Sequence, residues 1–173
     1  MKKWNLDPSH TEIGFRIKHM MFTNVKGKFN EYNADIAFDD AFDNATFEFN
    51  ANVNSIDTNN SERDNHLRSG DFFNVEEFPE LKFKSTEVQR NGSDYQIKGD
   101  LTIRETTLPV TLKGEFSGVL KDPWGNNRIG LTLEGAINRR DFGLTYNAAL
   151  ETAGVLVGEE VKLNIELQMI ENK

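Results

Sequence analysis

The chain has 173 residues, 28 of them acidic and 20 basic, and its formal net charge at pH 7 is -8. This length predicts one domain that spans residues 1–173, and the negative charge opposes binding to nucleic acid or electrostatic docking on anionic lipid headgroups. Cysteine is absent, which excludes disulfides, thiolate metal sites and cysteine nucleophiles.

The first residues include two lysines, Lys2 and Lys3, but no apolar segment of the kind that follows them in a secretory signal. No apolar run approaches the roughly 20 residues that a membrane-spanning helix needs. We therefore expect a cytoplasmic protein without stable membrane insertion. A mature exported chain would have the same features.

Apolar and polar residues alternate along most of the chain, which is typical of strands with one face turned away from water. The apolar rows, in chain order, run through residues 13–19, 25–38, 45–53, 81–83, 95–103, 110–120, 129–137 and 161–169. These rows predict eight strands. Within the second row the parity of the apolar positions reverses between Glu31 and Asn33, as an extra residue at a β-bulge would produce.

Two connections break the alternation. Residues 58–70 are polar and rich in helix formers, with Asn59, Asn60 or Ser61 as candidate caps, so they predict a short helix. Residues 141–154 show no periodicity and predict a long connection with about one turn of helix. Turn signals such as Asn91-Gly92 separate the other strands and favour antiparallel hairpins.

An antiparallel meander of eight strands can close on itself and so remove its unpaired edges. The sequence therefore predicts an all-β protein, an extended eight-stranded antiparallel barrel with one or two short helices in its connections. An open two-sheet sandwich has the same alternation and is the alternative.

Several predicted strands are long, since residues 25–38 and residues 107–120 would each extend roughly 40 Å at about 3.3 Å per residue. An elongated apolar interior suits a chain-like ligand. Glycines with inward parity would leave space there, or would let the sheet bend as the barrel closes. A fully packed interior is the alternative, because small barrels do fill with side chains, and the protein would then act as an interaction module through its outer surface.

The inward rows supply the predicted lining of a ligand tunnel. They contain Phe15, Ile17, Phe47, Phe49, Gly99, Leu101, Leu112, Gly114, Phe116, Gly118, Leu131, Leu133, Leu163 and Ile165. Phe22, with Met20 and Met21, predicts an adaptable apolar lip for the same ligand. Packing of this lip against a neighbouring loop or a second subunit is the plainer interpretation.

His19 continues the inward parity of its strand and would lie at one end of the tunnel, where it could hydrogen-bond the polar end of a ligand. The alternative is a hydrogen bond to a backbone carbonyl. Arg63 and His66 are further candidates to meet a head group. A metal site is not expected, because the chain has three histidines and His10 and His19 would face opposite ways on one strand.

No nucleophile elbow, phosphate loop or H-E-x-x-H motif occurs, so we expect neither a cofactor nor enzymatic activity. The alternative is a lipid- or quinone-modifying enzyme that uses Asp64 and His66 together with His19. The simpler interpretation of residues 61–71 is a solvated helix, on which Asp64 and Arg68 could form a pair.

A series of short motifs runs through the chain in a specific order. It includes the start of the chain at residues 4–11, the segment Arg63-Asp64-Asn65-His66-Leu67-Arg68-Ser69, Phe83-Lys84-Ser85-Thr86, and Arg140-Asp141-Phe142-Gly143-Leu144. The series resembles the YceI-like polyisoprenoid-binding family from residue 4 to about residue 167. The resemblance implies a lipocalin-like barrel that binds a long isoprenoid lipid or isoprenoid quinone, as carrier, store or protector. It also implies a homodimer and a stress-related role.

Overall fold

The computed structural model describes residues 2–20, 22–39, 44–146 and 157–172. Within these ranges the chain forms twelve strands, one α-helix and three short 3₁₀ helices. The strands are β1 (Lys2–Leu6), β2 (Glu12–His19), β3 (Thr23–Phe29), β4 (Tyr32–Phe38), β5 (Thr46–Asn52), β6 (Ile56–Asp57), β7 (Glu80–Asn91), β8 (Asp94–Ile103), β9 (Thr106–Phe116), β10 (Leu120–Lys121), β11 (Asn127–Asn138) and β12 (Val157–Glu171). Helix α1 is Ser61–Arg68, and the 3₁₀ helices are Pro8–His10, Val53–Ser55 and Arg139–Phe142.

The strands form a closed antiparallel barrel with eight strand positions around its ring, as the alternation predicted. The ring follows the order β11-β9-β8-β7-β5-β4-β1-β12, and the pairing of β11 with β12 closes it. At one end of the barrel β2 takes the place of β1 beside β12, and β3 pairs with β2. β1 and β2, which follow each other in the chain, therefore occupy one position in the ring of strands. β3 and β4 occupy the next position.

The parity reversal in the second apolar row marks a change of neighbours. β3 ends at Phe29 after pairing with β2 and β6, and β4 starts at Tyr32 to pair with β1 and β5. Asn30 and Glu31 separate the two strands. The irregularity predicted between Glu31 and Asn33 is thus the point where β3 gives way to β4. There the chain changes from pairing with β2 and β6 to pairing with β1 and β5.

Helix α1 lies within the predicted segment, and the side chain of Asn60 caps it by accepting a hydrogen bond from the backbone N–H of Arg63 at 3.0 Å. The predicted connection at residues 141–154 begins with the end of a 3₁₀ helix, and its part from 147 onward lies outside the described residues. Strand β1 was not predicted, because Trp4 and Leu6 are too few to show an alternation.

The two ends of the barrel differ. β12 runs from Val157, which pairs with His19, to Glu171, which pairs with Trp4. At the Trp4 end, which we call the closed end, the indole stacks on Phe38 with ring centroids 4.7 Å apart, and Phe116 packs edge-on against Phe38 and Tyr95. These rings fill the closed end, so that any open space must lie toward the His19 end, which we call the mouth.

Two of the predicted inward glycines serve other purposes. The prediction that Gly118 faces inward on a strand is wrong, because β9 already ends at Phe116. Gly118 adopts a φ of 78°, and no atom lies within 4 Å of the position that a Cβ would take. Gly114 remains in β9, but a Cβ there would overlap the carbonyl oxygen of Thr132 on β11. That glycine permits the two strands to approach and leaves no space for a ligand.

Two other inward glycines are covered by their neighbours. A Cβ on Gly99 would overlap the ring of Phe83, and a Cβ on Gly135 would lie 2.7 Å from Cδ2 of Leu112. The space that these residues leave is therefore occupied by side chains from adjacent strands. The inward parity predicted at Gly99 is correct, but this position and Gly135 pack the wall of the barrel instead of opening it.

Candidate ligand-binding cavity

The barrel encloses a cavity of about 490 Å³ whose lining reaches His19 and Val157 at the mouth. This volume lies within the range of roughly 300–1,000 Å³ typical of ligand pockets. On β12 the lining extends from Val157 to Leu167, which corresponds to about 33 Å of strand. With strands tilted by about 40° in a barrel, the cavity would be ~25 Å deep. It is elongated, as the strand lengths predicted.

Most of the predicted tunnel residues line this cavity. They are Phe15, Ile17, Phe47, Phe49, Leu101, Leu112, Leu133, Leu163 and Ile165, together with the head-group candidates His19, Arg63 and His66. The lining is hydrocarbon over nearly its whole length, and the polar groups gather at the mouth.

Other predicted tunnel residues lie elsewhere. Phe116 belongs to the closed-end cluster, and Leu131 is buried on β11 beside it, paired with Phe116. Gly99, Gly114 and Gly118 are outside the lining, for the reasons given above. Phe22 is 87% exposed on the outer surface of the β2–β3 turn. Parity alone could not separate the cavity from the filled end, because both lie on the inner face.

The structure adds lining residues that the sequence analysis missed. Phe29, Phe83 and Val161 also line the cavity and continue apolar rows that were recognised. Phe72, Phe73, Leu144 and Tyr146 come from connections, where no periodicity indicated which side chains would turn inward.

The mouth holds an imidazole–aromatic cluster. His66 on α1 places Nε2 2.9 Å from Oδ2 of Asp71, and its ring packs edge-on against Phe72 and Tyr146, with centroids 5.1 and 4.8 Å away. His19, the last residue of β2, lies on the lining across from α1. Its ring forms no hydrogen bond with any residue that the structure describes, so the predicted alternative of a bond to a backbone carbonyl is not seen.

A buried carboxylate holds the segment before α1 in place. Asp64 accepts hydrogen bonds from the backbone N–H of Thr58 at 3.0 Å and from its hydroxyl at 2.6 Å. Arg63 donates from Nε to the same hydroxyl at 2.8 Å and from Nη2 to the Thr58 carbonyl at 2.6 Å. This arrangement orients Arg63 at the cavity wall. Asp64 and Arg68 do not form the pair that was predicted, since Arg68 bonds to the Asn54 and Ile56 carbonyls and to Asn65.

Of the residues in the enzyme alternative, His19 and His66 both line the cavity, but Asp64 does not join them. Both oxygens of Asp64 face Thr58, and His66 contacts Asp71 instead of Asp64. General acid–base catalysis needs partners within hydrogen-bond reach of one another or of one substrate atom. The pairing of Asp64 with His66 does not meet this requirement.

Arg139 is a buried cation on the same wall. It is 3% exposed, and its guanidinium donates to the backbone carbonyls of Leu144 at 2.6 Å, Gly158 at 2.8 Å and Tyr146 at 2.9 Å. Burial lowers the pKa of this guanidinium from its usual value. The side chain joins the two segments that flank residues 147–156 and brings a positive charge to the mouth.

Cations outnumber anions on the lining. The charged residues along the lining are Lys18, Arg63, Arg139 and Glu48. Lys18 and Glu48 are exposed and lie on outward positions of their strands, and Glu48 is paired with Lys84 at 3.3 Å. In a chain of net charge -8, this mouth favours an anionic or electron-rich head group. Across the described ranges, no group of three or more histidine and carboxylate side chains stands close enough to hold a metal ion. No helix in those ranges is long and apolar enough to cross a bilayer.

Comparison with known proteins identifies close relatives. Residues 4–169 match the model of the YceI-like domain family. A UPF0312 protein of Staphylococcus epidermidis is 42% identical over 166 residues, which are 94% of each chain. The crystal structure of the YCEI protein of Campylobacter jejuni aligns with a TM-score of 0.78 at 34% identity over 100% of both chains. A domain from Saccharophagus degradans, named as polyisoprenoid-binding, shares the fold with a TM-score of 0.71 at 12% identity, over 99% of this chain and 100% of that one.

Proposed function

The chain belongs to the YceI-like domain family, and from this premise we propose that its cavity binds the hydrocarbon chain of a long isoprenoid lipid or isoprenoid quinone. The observation that carries the proposal is an elongated, hydrocarbon-lined cavity that reaches a polar mouth. A structural neighbour named as a polyisoprenoid-binding domain supports it.

The shape of the cavity suits a chain that enters end-first. The side chains along its depth are aliphatic or phenyl groups, and each methylene group buried there contributes about 0.8 kcal/mol. The cluster of Trp4, Phe38, Tyr95 and Phe116 closes the far end. It therefore limits how much of the chain the barrel can enclose, and a longer ligand would leave its remaining units at the mouth.

The head group of the ligand would lie among His19, Arg63, His66 and Arg139. His19 offers an imidazole without another partner among the described residues, and the two guanidiniums offer positive charge. A phosphate or a quinone carbonyl could accept hydrogen bonds from these groups.

The role is that of a carrier, a store or a protector of the ligand, without catalysis. Asp64 and His66 are each engaged by another residue, so the pairing of these two residues does not support the enzyme alternative. A cytoplasmic location, a homodimer and a stress-related role stay predictions.

Cavity-filling substitution tests the proposal directly. Ala34 on β4 lines the cavity, whereas Ala37 on the same strand is not part of the lining. We expect Ala34→Phe to abolish the uptake of a long-chain polyprenol or quinone from detergent, because the added ring occupies the space of the chain. Ala37→Phe should keep wild-type uptake, and circular dichroism would verify that both variants are folded.

Native mass spectrometry of the freshly purified wild-type protein, followed by organic extraction, identifies the natural ligand. The proposal predicts a bound lipid whose mass series has isoprene-unit spacing. Undiminished uptake by folded Ala34→Phe would show that the ligand binds outside the cavity. A wild-type protein with neither bound lipid nor uptake would favour the interaction module instead.

A further inference from the structure

A row of cations crosses three neighbouring strands on the outer surface of the barrel. Arg16 on β2 is the direct register partner of both Lys162 on β12 and Lys26 on β3. Side chains directly opposite one another have Cβ atoms about 5 Å apart, and like charges in such positions destabilise a sheet. None of the three has an ion-pair partner among the described residues. We call these three residues the basic row.

The segment that forms most of β2 and all of β3 carries no carboxylate. Residues 13–30 contain Arg16, Lys18, Lys26 and Lys28 and no carboxylate, although the chain as a whole is acidic. Of these residues, Lys28 faces a carboxylate, that of Asp57 on β6. The acidic neighbours along the strands are Glu12 and Glu166, which lie opposite each other toward the closed end, and Glu160 on the mouth side of Lys162. The overall negative charge thus conceals a local positive surface beside the mouth.

The turn that joins β2 to β3 is apolar and exposed. Phe22 is 87% and Met20 is 49% exposed, and Met20 adopts a φ of 50°. His19, which directly precedes this turn, lines the cavity. A large aromatic side chain in water therefore stands at the rim through which a ligand must pass. Arg16 and Lys26 of the basic row lie behind it on the same hairpin, and Lys162 lies beside them on β12.

We propose that the β2–β3 hairpin docks the mouth of the barrel on an anionic lipid bilayer, with Phe22 and Met20 in the interfacial region and the basic row facing the headgroups. Insertion of apolar groups together with Lys and Arg contacts is the general mode of peripheral membrane binding. A nucleic acid would use the cations but would leave Phe22 exposed. The inference rests on the proposed function, because a membrane-derived ligand gives the docking its purpose.

Vesicle co-sedimentation tests the docking. The wild-type protein should sediment with vesicles of phosphatidylcholine and phosphatidylglycerol, and more weakly with phosphatidylcholine alone. Combining Arg16→Gln, Lys26→Gln and Lys162→Gln should weaken binding to the anionic vesicles on the order of 100-fold, since each cation near an anionic surface contributes about fivefold. The matched control combines Lys82→Gln, Lys84→Gln and Lys98→Gln on β7 and β8, which changes the net charge equally and should retain most of the affinity.

A second pair of variants, a test and a matched control, tests the apolar turn. Phe22→Ser should weaken binding to both kinds of vesicle, whereas Trp124→Ser, which removes a 78% exposed indole near the closed end, should not. A wild-type protein that stays in the supernatant with anionic vesicles would overturn the inference. So would an equal loss in the two triple variants, or binding of a nucleic acid by the basic row without any vesicle binding.

Uptake of a polyprenol from detergent micelles separates this inference from the proposed function, because it needs no bilayer. Lost vesicle binding with normal uptake in the basic-row variant is the expected result. Absence of uptake in a wild-type protein that still binds vesicles would refute the proposed function and leave the docking surface standing.

Discussion

Arg139 connects two segments of the mouth through the backbone carbonyls of Leu144, Tyr146 and Gly158. We expect Arg139→Met to lower the free energy of unfolding by about 3 kcal/mol, because buried acceptors then lose charged donors. Urea denaturation measures the change. Arg140→Met is the matched control: Arg140 is exposed and pairs with Glu159 at 3.3 Å, so its loss should cost less than about 1 kcal/mol. Equal small losses in both variants would contradict this role of Arg139.

Arg128 bridges two carboxylates at the closed end. Its Nε lies 2.7 Å from Oδ2 of Asp122 and its Nη1 lies 2.9 Å from Oδ2 of Asp7. The hydrogen bond from Arg128 is the main cause that lowers the pKa of Asp122 from 3.8 to about 2. The pKa of Asp7 is held well below its usual range, chiefly by the Ser9 hydroxyl and also by Arg128.

These lowered pKa values predict the acid sensitivity of the fold. A carboxylate whose native pKa lies below its unfolded value contributes stability that is present above the unfolded pKa and is lost as the pH falls through the native one. The free energy of unfolding should therefore decline between about pH 4 and pH 2. Urea titrations at several pH values should show a shallower decline in Arg128→Met. An unchanged slope in that variant would show that other groups control the acid transition.

At the scale of the element, the period of two identified most of the long strands, because one face of each strand is buried and the other meets solvent. β1 escaped detection since it is short, and Phe72, Tyr146 and Arg139 could not be placed because they come from connections. The lining residues on β2, β5 and β12 were predicted from parity. The same parity assigned Phe116 and Leu131 to the tunnel, because a filled end and an open end have the same alternation.

The close approach of β9 and β11 can be tested with one methyl group. A Cβ on Gly114 would meet the β11 backbone at Thr132, whereas the nearest atom to a Cβ on Gly130 is the Ser117 hydroxyl oxygen at 3.6 Å. We expect Gly114→Ala to lower the free energy of unfolding by about 3 kcal/mol, since a backbone can yield only by separating the strands. Gly130→Ala should change it by less than about 1 kcal/mol. Similar stabilities in the two variants, compared by thermal melting, would refute the close approach.

For the whole molecule, closure of the barrel was predictable from eight alternating rows, but the division into a filled half and an open half was not. That division depends on how Trp4, Phe38 and Phe116 pack across strands far apart in the chain. The division predicts that local stability differs between the two halves, because amide hydrogens are best protected from exchange where buried contacts are most numerous. Hydrogen exchange followed by mass spectrometry should show the slowest amides around Ile129, Leu131 and Met169, which are at most 1% exposed.

Ligand binding should alter this exchange pattern in one half of the molecule. Added polyprenol should slow exchange in β2, β3 and α1 at the mouth and leave the closed end as it was, because that end is already packed. Ala34→Phe serves as the reference without binding. Slowing that is uniform over the barrel would show that the ligand stabilises the fold without occupying the mouth half.

The position of β12 between β11 on one side and β1 and β2 on the other has a consequence for biosynthesis. Thr11 and Gln168, which are 157 residues apart, already exchange hydrogen bonds between the first and last parts of the barrel. Until β12 is synthesised, the partner edges of β11, β1 and β2 have no strand to pair with, and unpaired edges are prone to aggregation. Contacts so distant in sequence also slow folding. Chaperones that shield nascent sheets should thus affect the yield of this protein more strongly than its final stability.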